Sequence, residues 1–216
     1  MSPTIDLYVA ELLASRLCHD MVSPVGAVKT GVELLTEYGD DAEGETMGLI
    51  TKSALQASEK LQFFRLAYGS AGNSASGVTV ADALALIRSV CGNQRTTIET
   101  DALDNSPPLG AIKVMLNGAM LAGDCLPRGG VLRINSEAPG TGDYTVRVTA
   151  TGERAGLDDE LSGALSGETS SEDLTPRSAH AYYTSVMARG LDGGLAVETS
   201  KPDEIVFRFN LPSAGA

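Results

Sequence analysis

The sequence predicts an α+β protein, a helical hairpin followed by an α/β sandwich. Three observations carry this. Between residues 5 and 69, apolar residues recur at steps of three and four, the spacing of one helix face. A Gly/Ser/Asn stretch, GSAGNSASG (69–77), then interrupts the chain like a linker. Beyond it, strand-like and helix-like segments alternate. The expected division is a hairpin over 1–74 and a sandwich over 75–216.

In the first helix the expected apolar stripe is Leu7, Ala10, Ala14, Leu17, Met21, Val25, Val28, Val32 and Leu35. In the second it is Met47, Ile50, Ala54, Ala57, Leu61, Phe64 and Tyr68. The break between them, YGDDAEGE (38–45), is short, which makes the helices antiparallel neighbours. Two helices bury little surface, so the hairpin is expected to pair with a second copy as a four-helix bundle. Packing only on the rest of its own chain is the alternative.

After the linker, VTVADALALIRSVCG reads as a short strand or cap leading into a helix, and TTIETDA as a strand. PLGAIKVMLNGAMLAGDCL reads as a helix beginning near Pro108. GGVLRINS and DYTVRVTAT read as paired strands. Residues 153–173 are expected to form a long loop. TPRSAHAYYTSVMARG reads as a helix with Thr175 as N-cap and Pro176 in its first turn. GLAVETSKPDEIVFRFNLP closes the sheet as a hairpin.

Composition narrows the function. The chain has 216 residues, 43% of them apolar, no Trp and a net charge of −12. Such acidity opposes nucleic acid and anionic membranes and favours protein partners. No basic leader precedes an apolar run and no segment reads as a membrane span, so a cytoplasmic protein is expected. Cys18, Cys91 and Cys125 are odd in number and widely spaced, which fits reduced thiols.

One of only two histidines lies in SRLCHDMVSP (15–24). At about 100° per residue, His19 sits away from the line through Leu17 and Met21. Its neighbours on the helix surface are Ser15 and Ser23, with Leu12 and Gly26 one turn further out. A core histidine belongs on the apolar stripe instead. An exposed imidazole with small flanks is open to a partner protein and is a nucleophile near neutral pH. Asp20 is placed to accept a hydrogen bond from the other ring nitrogen. Pro24 cannot donate an amide hydrogen to the Asp20 carbonyl, so a bend is expected there.

His19-Asp20 with Pro24 five residues after the histidine resembles the phosphoacceptor motif of bacterial sensor histidine kinases. The fuller string LLASRLCHDMVSPVGAVKTGVELL (12–35) is similar to a narrower family, the ChpT-type histidine phosphotransferases. The resemblance extends to the layout of nearly the whole chain. It implies a shuttle: a phosphoryl group passes from the receiver aspartate of a hybrid histidine kinase to His19, then to response-regulator receivers of bacterial cell-cycle control. It also implies that the receiver brings Mg²⁺. The expected contact set is Leu12, Ser15, Arg16, Ser23, Pro24, Gly26 and Lys29 on the first helix and an exposed Phe63 on the second. Arg16 and Lys29 are read either as orienting the receiver or as solvated charges.

Kinases of this type bind ATP in the second unit. Where they place a magnesium-binding asparagine on the helix before a Pro-x-Gly-Gly turn (here Pro127 to Gly130), this chain has Lys113, with Asn117 as the alternative. Where they place an adenine-reading aspartate, it has Ala150. No ATP and no other cofactor are therefore expected, and the second unit reads as degenerate. His180, beside Tyr182 and Tyr183, is expected to pack or to lie on the surface. Two rival readings remain. One is a divergent ATP-dependent kinase. The other is a non-catalytic dimeric scaffold or inhibitor that occupies receivers or kinases.

Overall fold

The computed structural model describes residues 4–38, 43–69, 77–103, 107–108, 110–137 and 143–212. Helix α1 spans Leu7–Tyr38 and α2 spans Glu43–Tyr68, and the two pack side by side as the hairpin. Residues 39–42 of the break and 70–76 of the linker lie outside the described residues. At Gly31 the helices approach so closely that an added Cβ would meet Ile50 Cγ1 at 2.5 Å.

The burial seam differs from the expected stripe. The buried residues of α1 are Val9, Leu13, Pro24 and Gly31, while Leu7, Val25 and Val32 are exposed. On α2, Met47 and Leu61 are exposed, whereas Thr46 and Ser53 are buried. The periodicity merged two neighbouring faces: one turned to the other helix, one turned outward. Phe63 and Phe64 are buried at the base of α2, edge-to-face with ring centroids 5.8 Å apart. Phe63 is thus part of the core rather than an exposed contact residue.

The α/β unit follows. Helix α3 (Val80–Cys91) begins with a capping box. Thr79 Oγ1 accepts from the Asp82 amide at 3.1 Å, and Asp82 Oδ2 accepts from the Thr79 amide at 2.9 Å. The ambiguous VTV segment is therefore a cap. Strand β1 is Thr96–Thr100 and helix α4 is Ala111–Asp124. Helix α4 starts three residues after Pro108, behind Gly110 at φ 92°. Strands β2 (Gly130–Glu137) and β3 (Tyr144–Thr151) follow.

Residues 153–173 are not one long loop. They contain helix α5 (Asp159–Ser166) and a 3₁₀ turn, Ser171–Asp173. Asp158 caps α5 by accepting from the Leu161 amide, and Gly167 ends it at φ 80°. The buried Leu161, Ala164 and Leu165 make a helix only about two turns long worthwhile. Helix α6 (Pro176–Gly190) carries the expected Thr175 cap, and β4 (Gly194–Glu198) with β5 (Glu204–Leu211) completes the chain.

The sheet order is β1-β2-β3-β5-β4, with β1 parallel to β2 and the other pairs antiparallel. Alternation along β3 is regular: Tyr144, Val146, Val148 and Ala150 face inward. The other face carries ion pairs, Arg133 with Glu99 and Arg147 with Glu198. Helix α4 lies across the inner face and is buried almost throughout. Its Gly118 allows this, because a Cβ there would meet Phe209 at 2.9 Å and Val148 at 3.1 Å.

Candidate functional site

His19 stands on the open face of α1, its side chain 88% exposed. Nδ1 lies 3.3 Å from Asp20 Oδ1, which leaves Nε2 facing solvent. Ser15, Ser23 and Gly26 are exposed around it, and nothing lies within 4 Å of the position a Cβ on Gly26 would take. A groove of about 410 Å³ runs beside the histidine to the start of α6. Asp20, Asp124, Thr175 and Arg177 line it together with Ser15, Arg16, His19 and Pro176.

Arg16 is neither a free receiver contact nor a solvated charge. Its guanidinium grips both carboxylate oxygens of Asp124 at 3.0 and 2.9 Å and donates to the Arg177 carbonyl at 3.4 Å. The two side chains are only 14% and 19% exposed. Burial pushes the Asp124 carboxyl above the usual range, against the pull of Arg16 and then Arg177. Arg177 donates to the Asp124 carbonyl at 3.0 Å and pairs with Asp158 at 2.6 Å and Glu160 at 3.2 Å. This network ties α1 to α4, α5 and α6 one turn from His19. It fixes where the histidine points relative to the α/β unit.

The remaining expected contacts divide. Leu12 is half-buried against the core, and Pro24 is buried, so Pro24 offers little surface. The helix runs unbroken through it. Lys29 is exposed, 3.5 Å from Glu33 one turn on. Asp124, Arg177 and Lys60, whose Nζ donates to the Asp20 carbonyl at 2.9 Å, were not singled out in the sequence. Only the fold brings Asp124 and Arg177 to the groove.

The positions read against the kinase nucleotide site hold other partners. Lys113 Nζ donates to the Gly69 carbonyl at 2.7 Å. Asn117 Nδ2 donates to the carbonyls of Ala67 at 2.9 Å and Lys113 at 2.8 Å, and Tyr183 donates to Ala67 at 3.3 Å. The last turn of a helix leaves its carbonyls unpaired and partly negative. Here α4 and α6 supply the donors, one of them a cation, that close the end of α2. Ala150 is fully buried inside β3, paired with Leu132 and Ile205.

His180 is a packing residue. It is fully buried, with Nε2 3.2 Å from Asn117 Oδ1. Desolvation, followed by the nearby Arg16 charge, holds its pKa well below the ordinary value. The ring is therefore neutral, and Nε2 carries the proton that Asn117 accepts. Of the thiols, Cys18 is exposed beside His19, while burial pushes Cys125 up to about 12. Among the described residues no cluster of three or more His, Cys, Asp or Glu is placed to hold a metal, and no helix is long and apolar enough to cross a membrane.

Comparison with known proteins agrees with this layout. Residues 80–203 match the histidine phosphotransferase C-terminal domain family. The chain is 32% identical over 201 residues to the protein phosphotransferase ChpT of Brucella abortus (strain 2308), covering 93% of this chain and 94% of that protein. It superposes on the solved structure of a bacterial phosphotransferase with a TM-score of 0.76 and 29% identity, over 97% of this chain and 100% of that one. With an exposed histidine on a two-helix hairpin and an α/β unit behind it, the chain belongs to the histidine phosphotransferase family.

Proposed function

We propose that this chain is the histidine phosphotransferase step of a bacterial phosphorelay, with His19 as phosphoacceptor. The phosphoryl group comes from the receiver aspartate of a hybrid histidine kinase and leaves to the aspartate of response regulators, in cell-cycle control. The observation that carries this reading is the exposed imidazole with Nδ1 on Asp20 and Nε2 open.

Nε2 attacks phosphorus as the P–O bond to the receiver aspartate breaks, and the carboxylate stays with the receiver. Nδ1 keeps its proton and shares it with Asp20, whose negative charge offsets the positive charge growing on the ring. The transfer needs in-line geometry more than covalent assistance. Mg²⁺ is brought by the receiver's own acidic residues. ATP is not used: the polar atoms of Lys113 and Asn117 are committed to closing α2 and Ala150 has no carboxylate, which supports that reading.

The working unit is a homodimer in the cytoplasm. Every exposed large hydrophobic among the described residues lies between Ile5 and Leu61. Leu7, Val25 and Val32 fall within about 20° of one another around α1, on one side of the helix suited to a second hairpin.

The test uses radiolabel in two steps. The pure protein is incubated with labelled ATP alone, then with a phosphorylated receiver and Mg²⁺. Label from the receiver only, stable to base, labile to acid and lost in His19→Ala, is the expected result. Label from ATP alone would identify a kinase. Absence of label from cognate receivers would favour a scaffold.

A further inference from the structure

We infer that Lys60 is a positioning residue for phosphoryl transfer at His19, its ammonium supplying the hydrogen bond that Pro24 removes from the Asp20 carbonyl. The inference rests on His19 being the phosphoacceptor. In an α-helix the amide of residue 24 donates to the carbonyl of residue 20. Proline has no amide hydrogen, and its ring crowds the carbonyl four residues back. Pro24 is buried within α1, so the gap it leaves is on the side turned towards the protein. Lys60 on α2 fills the gap: Nζ lies 2.9 Å from Asp20 O, a part-buried contact. An ammonium on a carbonyl is a charge-assisted bond, stronger than the amide bond it replaces.

The contact reaches the chemistry through one residue. The carbonyl that Lys60 holds and the carboxylate that takes His19 Nδ1 both belong to Asp20. Asp20 is therefore fixed at its main chain by α2 while its side chain sets the imidazole. Asp20 and Asp124 line the same pocket as Lys60, but among the described residues neither carboxylate forms an ion pair with it, and its contact is with the Asp20 carbonyl. Without the ammonium, the part-buried carbonyl is left without its hydrogen-bond partner, and the turn that carries Asp20 shifts to find another. The carboxylate then moves relative to the ring.

Pro24 and Lys60 should consequently be coupled. Pro24→Ala restores an amide hydrogen to the Asp20 carbonyl and makes Lys60 dispensable. Four proteins test this: wild type, Lys60→Met, Pro24→Ala and the double variant, with His19→Ala as blank. Two quantities are read. One is the rate of label transfer from a phosphorylated receiver. The other is the pair of ¹⁵N shifts of the His19 ring, assigned by their loss in His19→Ala. In the wild-type background, Lys60→Met should slow transfer about tenfold. It should also move the ring nitrogens towards the average of the two tautomers. In the Pro24→Ala background it should slow transfer less than about threefold and leave the ring nitrogens in place.

Equal slowing in both backgrounds would make Lys60 a strut of the hairpin and overturn the inference. So would full activity of Lys60→Met. If no receiver labels the wild type, the phosphoacceptor reading fails separately. The ring nitrogens then decide alone, and shifts unchanged in Lys60→Met would reject the role of Lys60.

Discussion

The outer face of the hairpin and the junction at its base treat the same kinds of side chain in opposite ways. On the outer face Val25 and Leu61 are more than half exposed and His19 stands clear of the protein. At the junction, His180, Asn117, Arg16 and Asp124 are buried or nearly so, each with a named partner. A contiguous apolar patch left in water marks an interaction surface. Buried polar groups that are hydrogen-bonded fix geometry instead. On the proposed function, the hairpin faces outward for contact and is clamped at its foot for aim. Each half of that contrast can be broken separately.

The largest effect is expected on the outer face. Val25→Asp places a charge in the apolar strip of α1. It should turn the proposed dimer into a monomer while leaving the secondary structure intact, read by light scattering and circular dichroism. A variant still dimeric at micromolar concentration would show that this strip does not face the second copy.

Next comes the junction. Asn117→Leu keeps the volume but strips the Ala67 carbonyl of a donor and His180 of its acceptor. Such losses cost about 2–4 kcal/mol when the orphaned groups stay buried. Urea denaturation should show that loss, and the ring of His180 should shift with it. An unchanged midpoint would mean that water or Thr184, whose Oγ1 lies 3.3 Å from His180 Nε2, takes over.

The junction also gives a pH signature. The folded pKa of His180 lies well below 6.5, so the unfolded chain binds the extra proton first as pH falls. The stability tied to neutral His180 is full above about pH 6.5 and is lost below it, towards the folded pKa, at up to about 1.4 kcal/mol per pH unit. Asp124 works in the opposite sense, because its folded pKa is raised. It is common to wild type and His180→Gln, so the difference between their stability curves isolates the histidine. That difference should shrink by about 1 kcal/mol between pH 7 and pH 5.5. A flat difference would mean that the ring accepts a proton in place.

The sequence made the outer face more legible than the junction. His19, Asp20 and Pro24 are close along one helix, so spacing alone brings them together. The cap at Thr175 is equally local. Arg16, by contrast, is 108 residues from the Asp124 that holds it, and nothing near Arg16 announces the pair. Phe63 follows the same logic. Its neighbour Phe64 fits the α2 stripe, and only the α/β unit docked on the hairpin's base buries both. Helix α5 was hidden for a different reason. Its acidic, serine-rich composition reads as loop, and the three residues that bury it are too few to show a period.

Lys29 gives the smallest expected effect and the sharpest control. It and Arg16 are the two cations that the sequence set beside the histidine. The fold buries one and leaves the other exposed. The Lys29 side chain is 77% exposed and its pairing with Glu33 is a surface contact within one helix. Pairs of that kind contribute about 0.3–0.5 kcal/mol. Lys29→Ala should therefore leave the melting temperature within about 1–2 °C. Arg16→Met leaves Asp124 buried without its partner and should cost about 3 kcal/mol. Transfer rates then separate the two roles. If Lys29 touches the receiver, its removal slows transfer without changing stability, and the slowing weakens as salt is added. If transfer is unchanged as well, the receiver meets the hairpin through the small residues around His19, and Lys29 is only a solvated charge.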